Sequence, residues 1–239
     1  MKFAFLEEPP FNFRDAEGEV TGCDVAVARH VATELDDGPF TPIETEFAAL
    51  LPGLNQGRWQ MTTGLIITQE RARRACFSRP IWLLPDGLLI GADNPLSIAG
   101  YRSLAAHREG RLAVVRHQLQ HQRALAFGVP DHRISVFETY QDAATAVREG
   151  RAAAFASVER AHTGFLAQHP DWDLRHLAIP VEELKPAAGA FAFAPQDENR
   201  RLAADRVLDR YIGSPAHIEM MRGFGFTDAE LDLLCQGPR

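Results

Sequence analysis

The feature that most constrains this chain is the alternation of short apolar runs with amphipathic helical stretches. Residues 2–6, 43–47 and 59–67 read as strands, and 24–35 and 48–55 between them read as helices. Within 24–35, Val27, Ala28, Val31 and Leu35 share one face. Such alternation builds parallel α/β units, because a parallel pair needs a crossover long enough to hold a helix. The pattern continues with strands over 112–115, 134–137 and 152–156 and helices over 142–148 and 160–168. An edge strand is predicted over 174–179, a returning strand over 189–194, and two closing helices over 198–212 and 215–223. Residues 83–90 form an apolar run that crosses to a second lobe. In open sheets of this kind ligands bind beyond the carboxyl ends of the strands. Glu8, Phe47 and the stretch from Thr63 to Arg71 lie at or just after three such ends.

The stretch from Gly57 to Arg71 carries the sharpest local chemistry. It rises from a turn glycine into an apolar run and breaks at Thr68-Gln69-Glu70. Thr68 is placed to cap a helix whose first turn holds Gln69 and Glu70, where negative charge is favoured. Arg71 then has two readings. It is a solvated surface charge, or it points off the element and grips a carboxylate with its planar fork.

Composition removes several classes of function. The net charge of −7 argues against nucleic acid, which demands a concentrated basic face. The short run Arg71, Arg73, Arg74 reads as a solvated helix face. Cys23, Cys76 and Cys235 are far apart and contain no CxxC pair, which argues against a zinc knuckle or a redox dithiol. An odd count leaves at least one free thiol, and the spacing proposes no bridge. His117 and His121 stand four apart, but no third ligand accompanies them, so no metal is expected. No P-loop, GxGxxG or GxSxG occurs, and no cofactor is expected. No apolar run reaches the roughly 18 residues of a spanning helix. The chain opens directly on its first strand, so the leader of an exported protein has to lie upstream.

Several motifs together resemble the bacterial extracellular solute-binding proteins of family 3, the polar amino-acid receptors of ABC importers. Gly64-Leu65-Ile66-Ile67-Thr68-Gln69-Glu70-Arg71 followed by Cys76-Phe77-Ser78-Arg79-Pro80 resembles that family's "T-x-E-R … F-S-x-P" signature. Glu8-Pro9-Pro10-Phe11-Asn12-Phe13, Gly18, Gly22-Cys23-Asp24 and Leu51-Pro52-Gly53-Leu54 look like its "PPF-x-F … G-x-x-x-G-x-D" and "L-x-x-G-L" patterns. Gly150-Arg151 resembles the "G-R-x-D-A" step of its second lobe. The resemblance implies an α/β fold of the type II periplasmic-binding kind, with two α/β lobes and a two-crossing hinge. Lobe 1 would be discontinuous, residues 1–88 plus 189–239, and lobe 2 would be 92–183, with hinge segments near 88–92 and 183–189. It also implies a monomeric, non-enzymatic receptor, periplasmic or extracellular, that closes on a small zwitterion and then meets ABC permease subunits at the membrane.

Carried over residue by residue, the resemblance assigns the ligand's carboxylate to Arg71, with Thr63 and Gly64 contributing to the same group. The second lobe departs from the pattern. Ala153 replaces the aspartate of the "G-R-x-D-A" step, and Ser157-Val158-Glu159 stands where an ammonium-binding aspartate is expected. Val158 cannot pair with an ammonium, whereas Glu159 can if the register slips by one. Glu8 is the other substitute, since it looks like the loop acid of the ectoine and hydroxyectoine receptors of the same family. Phe11 and Phe47 match two positions of their aromatic cage, which attracts weakly hydrated cations. Ile66 stands at the third. Gln118 follows the 112–115 strand, where the family has a Gly-Thr loop, and His117 replaces the glycine. Two rivals remain: an enzyme of the cyclohexadienyl-dehydratase type, with Glu8 or Glu159 as acid or base, and a sensor module uncoupled from transport.

Overall fold

The computed structural model describes residues 1–236 and divides into two compact units. Lobe 1 comprises Met1–Leu83 and the segment from Ala187 onward; lobe 2 is Leu84–Pro186.

Lobe 1 begins with β1 (Lys2–Phe5), the hairpin strands β2 (Phe13–Arg14) and β3 (Val20–Thr21), and α1 (Cys23–Glu34). After these come β4 (Thr41–Glu44), a 3-10 turn (Phe47–Ala49), α2 (Leu50–Asn55), β5 (Met61–Thr62), β6 (Leu65–Ile66), α3 (Gln69–Ala72), β7 (Cys76–Phe77) and β8 (Trp82–Leu84). Lobe 2 contains β9 (Asp86–Gly91), α4 (Tyr101–Ala106), β10 (Leu112–Val115), α5 (Leu119–Ala126), β11 (Ile134–Phe137), α6 (Tyr140–Arg148), β12 (Ala154–Val158), α7 (Glu159–Gln168) and β13 (Leu174–Ala178). The chain then completes lobe 1 with β14 (Ala187–Ala190), β15 (Ala192–Phe193), α8 (Glu198–Tyr211), α9 (Pro215–Gly223) and α10 (Asp228–Gln236).

The expected parallel units are present. In lobe 1 the strands run in the order β4-β1-β5, and both neighbours of β1 are parallel to it. In lobe 2 the order is β11-β10-β12-β9-β13, with β11, β10 and β12 mutually parallel and β9 antiparallel to both of its neighbours. Strand β13 lies at the edge, as its sequence suggested. Each lobe has its own core. Leu50, Leu54, Trp59 and Leu65 pack in lobe 1, where the Trp59 indole also donates to Leu50 O at 2.9 Å. Leu88, Ile90, Leu112, Val114 and Tyr101 pack in lobe 2.

Three expectations need correction. The first hinge segment was expected near 88–92, but residues 88–91 belong to β9, which is hydrogen-bonded on both sides by β12 and β13. The division falls earlier, after Leu83, and the return falls after Pro186. The strand predicted over 59–67 is two short strands, because the chain changes partners between them: β5 pairs with β1 and β6 pairs with β14. Thr63 and Gly64 form the corner. Finally, a third closing helix, α10, follows the two that were predicted. Its start is fixed by Thr227, whose N–H and hydroxyl both donate to Glu230 at 2.7 and 2.6 Å.

Candidate ligand-binding site

Arg71 sits in the single-turn helix α3, where Thr68 is the N-cap and its hydroxyl accepts from the Arg71 N–H at 3.1 Å. The cap expected from the sequence is therefore in place. The side chain is half-buried rather than fully solvated. Its Nη1 donates to Ile66 O at 2.8 Å, and its guanidinium carbon stands 5.2 Å from the centre of the Phe47 ring. Phe47 opens the 3-10 turn after β4, and it is also half-buried. A backbone carbonyl and an aromatic ring of lobe 1 thus both hold the Arg71 guanidinium.

Thr63 and Gly64 are committed elsewhere. The Thr63 hydroxyl donates to Asp24 Oδ2 at 2.7 Å and accepts from Asn12 Nδ2 at 2.7 Å. Its own N–H donates to Ala4 O at 2.7 Å, and the Gly64 N–H donates to Asp24 Oδ2 at 2.8 Å. The polar groups expected to meet a ligand carboxylate therefore serve a carboxylate of the protein itself. Thr63 is only 2% exposed and Asp24 only 1%.

Ile66 and Phe11 also differ from expectation. Successive strand residues face opposite ways, so Ile66 turns inward, at 8% exposure, while Ile67 is 38% exposed. The Ile66 carbonyl accepts from Arg71 Nη1, and the Ile67 side chain is the one left open to solvent. Phe11 is 3% exposed and packs against Trp82 and Phe226, with ring centres 5.5 and 6.4 Å away. It is an interior ring rather than an open cage wall. Glu8 is half-buried in a tight turn, where its N–H donates to Asn12 O at 2.8 Å and its carbonyl accepts from Phe11 and Asn12.

In lobe 2, Gln118 and Glu159 follow the carboxyl ends of the neighbouring parallel strands β10 and β12. Gln118 is the N-cap residue of α5 and is 7% exposed, and its buried Oε1 has no hydrogen-bond partner among the described residues. His117 before it adopts φ of 64°, so the turn survives the loss of the family's glycine. Glu159 is engaged inside the lobe: His176 Nδ1 lies 2.9 Å from its Oε1, and the Thr163 hydroxyl donates to that oxygen at 3.1 Å. Burial pushes its carboxyl up, but the His176 hydrogen bond, the charges of Arg160 and His176 and the Thr163 hydroxyl outweigh this and lower it. An acid already paired in this way is a poor substitute for the missing aspartate. His121 is paired too, 3.3 Å from Asp131.

The residue that sequence reasoning left without a role is Asp24. Its signal was present, since it closes the Gly22-Cys23-Asp24 motif, but nothing in a single chain says which distant donors an aspartate will collect. Burial pushes its carboxyl up to about 6, against the hydrogen bonds from Thr63 and Gly64.

Comparison with known proteins agrees with this architecture. Residues 1–214 match the bacterial extracellular solute-binding proteins, family 3. A probable amino-acid ABC transporter periplasmic-binding protein of Sinorhizobium fredii is 28% identical over 93% of this chain and 76% of its own length. The crystal structure of EhuB in complex with hydroxyectoine superposes with a TM-score of 0.89 at 25% identity, covering 99% of this chain and 91% of that one. An ancestral amino-acid-binding protein, a precursor of cyclohexadienyl dehydratase, shares the fold with a TM-score of 0.81 at 21% identity, over 93% of each chain. With its two α/β lobes of the type II periplasmic-binding kind, the chain belongs to the bacterial extracellular solute-binding proteins, family 3.

Proposed function

We propose that this solute-binding protein captures a small zwitterion, an amino acid or an ectoine-like compatible solute, outside the cytoplasmic membrane and hands it to the permease subunits of an ABC importer. The observation that carries the reading is the Arg71 guanidinium, oriented by the Ile66 carbonyl and the Phe47 ring. A guanidinium meets a carboxylate through paired hydrogen bonds, and ordering it beforehand removes part of the cost of binding. Phe47, Ile67 and the Glu8 turn supply apolar and acidic surface for the cationic end. The hydroxyectoine complex of EhuB and the amino-acid transport of the Sinorhizobium relative support this class of ligand.

The same observations favour a receptor over an enzyme. Burial raises the carboxyls of Glu7, Asp24, Asp86 and Asp205; the one raised to about 6, Asp24, is 1% exposed and accepts from Thr63 and Gly64. Glu159 is lowered and paired.

Calorimetric titration with hydroxyectoine, arginine and glutamine tests the reading. At least one should bind, and Arg71→Ala should weaken it by about 2–5 kcal/mol, the cost of removing one partner of a hydrogen-bonded charge pair. Unaltered binding by that variant, or no binding of any zwitterion by the wild type, refutes it.

A further inference from the structure

Among the described residues of lobe 1, Asp24 is a buried carboxylate with no cation beside it. From its own helix, Asp24 faces the Cys23 thiol, whose Sγ lies 3.7 Å from Oδ1 and is kept neutral by burial. From the 63–64 corner it faces the Thr63 hydroxyl and the Gly64 N–H, both on Oδ2. Behind Thr63 stands the neutral Asn12 amide, and from β8 the Trp82 indole adjoins the same corner. The carboxylate is therefore balanced by hydrogen bonds from neutral groups. Two residues beyond the corner, Ile66 turns its carbonyl to Arg71 Nη1.

We propose that ionised Asp24 is the positioning residue of the Arg71 site: by holding the Thr63 hydroxyl and the Gly64 N–H it fixes the corner from which Ile66 orients the guanidinium, and its protonation weakens solute binding. The inference rests on the reading that Arg71 takes the solute's carboxylate. Hydrogen bonds to an ionised acceptor are roughly twice as strong as those to a neutral one, so the corner slackens when the charge is lost. The proton goes to Oδ1, because the Thr63 and Gly64 hydrogen bonds both fall on Oδ2.

The two pH effects have opposite signs. The Asp24 carboxyl is raised from 3.8 to about 6 in the folded chain. Its contribution to folding stability is fully present below the unfolded value and is lost as pH rises through the folded one. Acid therefore stabilises the fold through this group while it loosens the solute. A residue with a merely structural role would move stability and affinity together.

The experiment is calorimetry of wild type and Asp24→Asn with hydroxyectoine, arginine and glutamine between about pH 8 and pH 5, with thermal unfolding of the unliganded proteins. For a probe that binds, wild-type affinity should fall about tenfold towards acid, the fold-change of a single strong hydrogen bond. Asp24→Asn should bind about tenfold more weakly at the upper end, show no further fall, and unfold at or above the wild-type temperature. Wild-type affinity in the variant, or the wild-type pH slope retained in it, overturns the inference. If the variant does not fold, the Gly64 amide resonance of the unliganded wild type decides: it should titrate with a midpoint of about 6, and a pH-independent resonance overturns the proposal. Arg71→Ala separates the two failures. If it abolishes binding while Asp24→Asn changes nothing, only this inference falls; if Arg71→Ala changes nothing, the receptor reading falls first.

Discussion

Among the described residues each lobe buries one aspartate almost completely, and the two are treated in opposite ways. Asp86 at the start of β9 is 1% exposed and is met by a cation: Arg123 donates to its Oδ1, joined there by the Gln120 amide at 3.0 Å, while the Tyr101 hydroxyl reaches Oδ2 at 2.7 Å. Asp24 in lobe 1 is equally buried and is met by neutral donors. Burial raises both carboxyls, but at Asp86 the Arg123 charge is the largest opposing influence, whereas at Asp24 it is the Thr63 hydroxyl. The first arrangement locks strand β9 to helices α4 and α5. The second leaves a charge that depends on a turn, and that turn leads to Arg71.

The comparison can be broken most severely by removing the cation from the lobe 2 pair. Arg123→Met strands Asp86 and should cost about 3–5 kcal/mol in denaturant unfolding, with lobe 2 destabilised first by hydrogen exchange. Thr63→Val at the other aspartate removes one of several neutral donors and also leaves the Asn12 amide without its acceptor; about 1–3 kcal/mol is expected by the same measurement. A smaller effect sharpens the contrast. Relative to Asp24→Asn, wild-type stability should rise by on the order of 1–2 kcal/mol as pH falls from about 7 to about 5, since the raised carboxyl takes up a proton in the folded state. The smallest change concerns Glu159, whose lowered carboxyl contributes stability above its unfolded value of 4.5 and loses it as pH falls through the folded one. Glu159→Gln should shift unfolding by about 1 kcal/mol or less, and its effect should vanish in acid.

Much of this was legible in advance. The strand–helix alternation announced parallel sheets, and Thr68 announced the start of α3. The residues that misled were those whose partners lie far along the chain. Thr63 reads as a β-branched strand residue or as a ligand donor, and only the folded chain shows Asp24, 39 positions earlier, taking its hydroxyl. Residues 59–67 read as one strand because a corner between two sheets has no apolar signature when the flanking residues stay buried on both sides. Phe11 was counted as a cage wall because aromatic identity says nothing about which face remains open. Ile66 and Ile67 are adjacent and chemically alike, so one residue of register decided which of them meets solvent.

Trp82 offers a practical consequence. A methyl group at Gly189 would lie 2.1 Å from its indole ring, and one at Gly64 would lie 2.7 Å from Nε1 and 3.0 Å from the Asp24 carboxylate. An indole clasped between two bare stretches of main chain, next to a titrating group, is a native optical probe. With Trp59 and Trp172 replaced by phenylalanine, its emission alone would report the ionisation of that pocket, and the protein would serve as its own dye-free sensor.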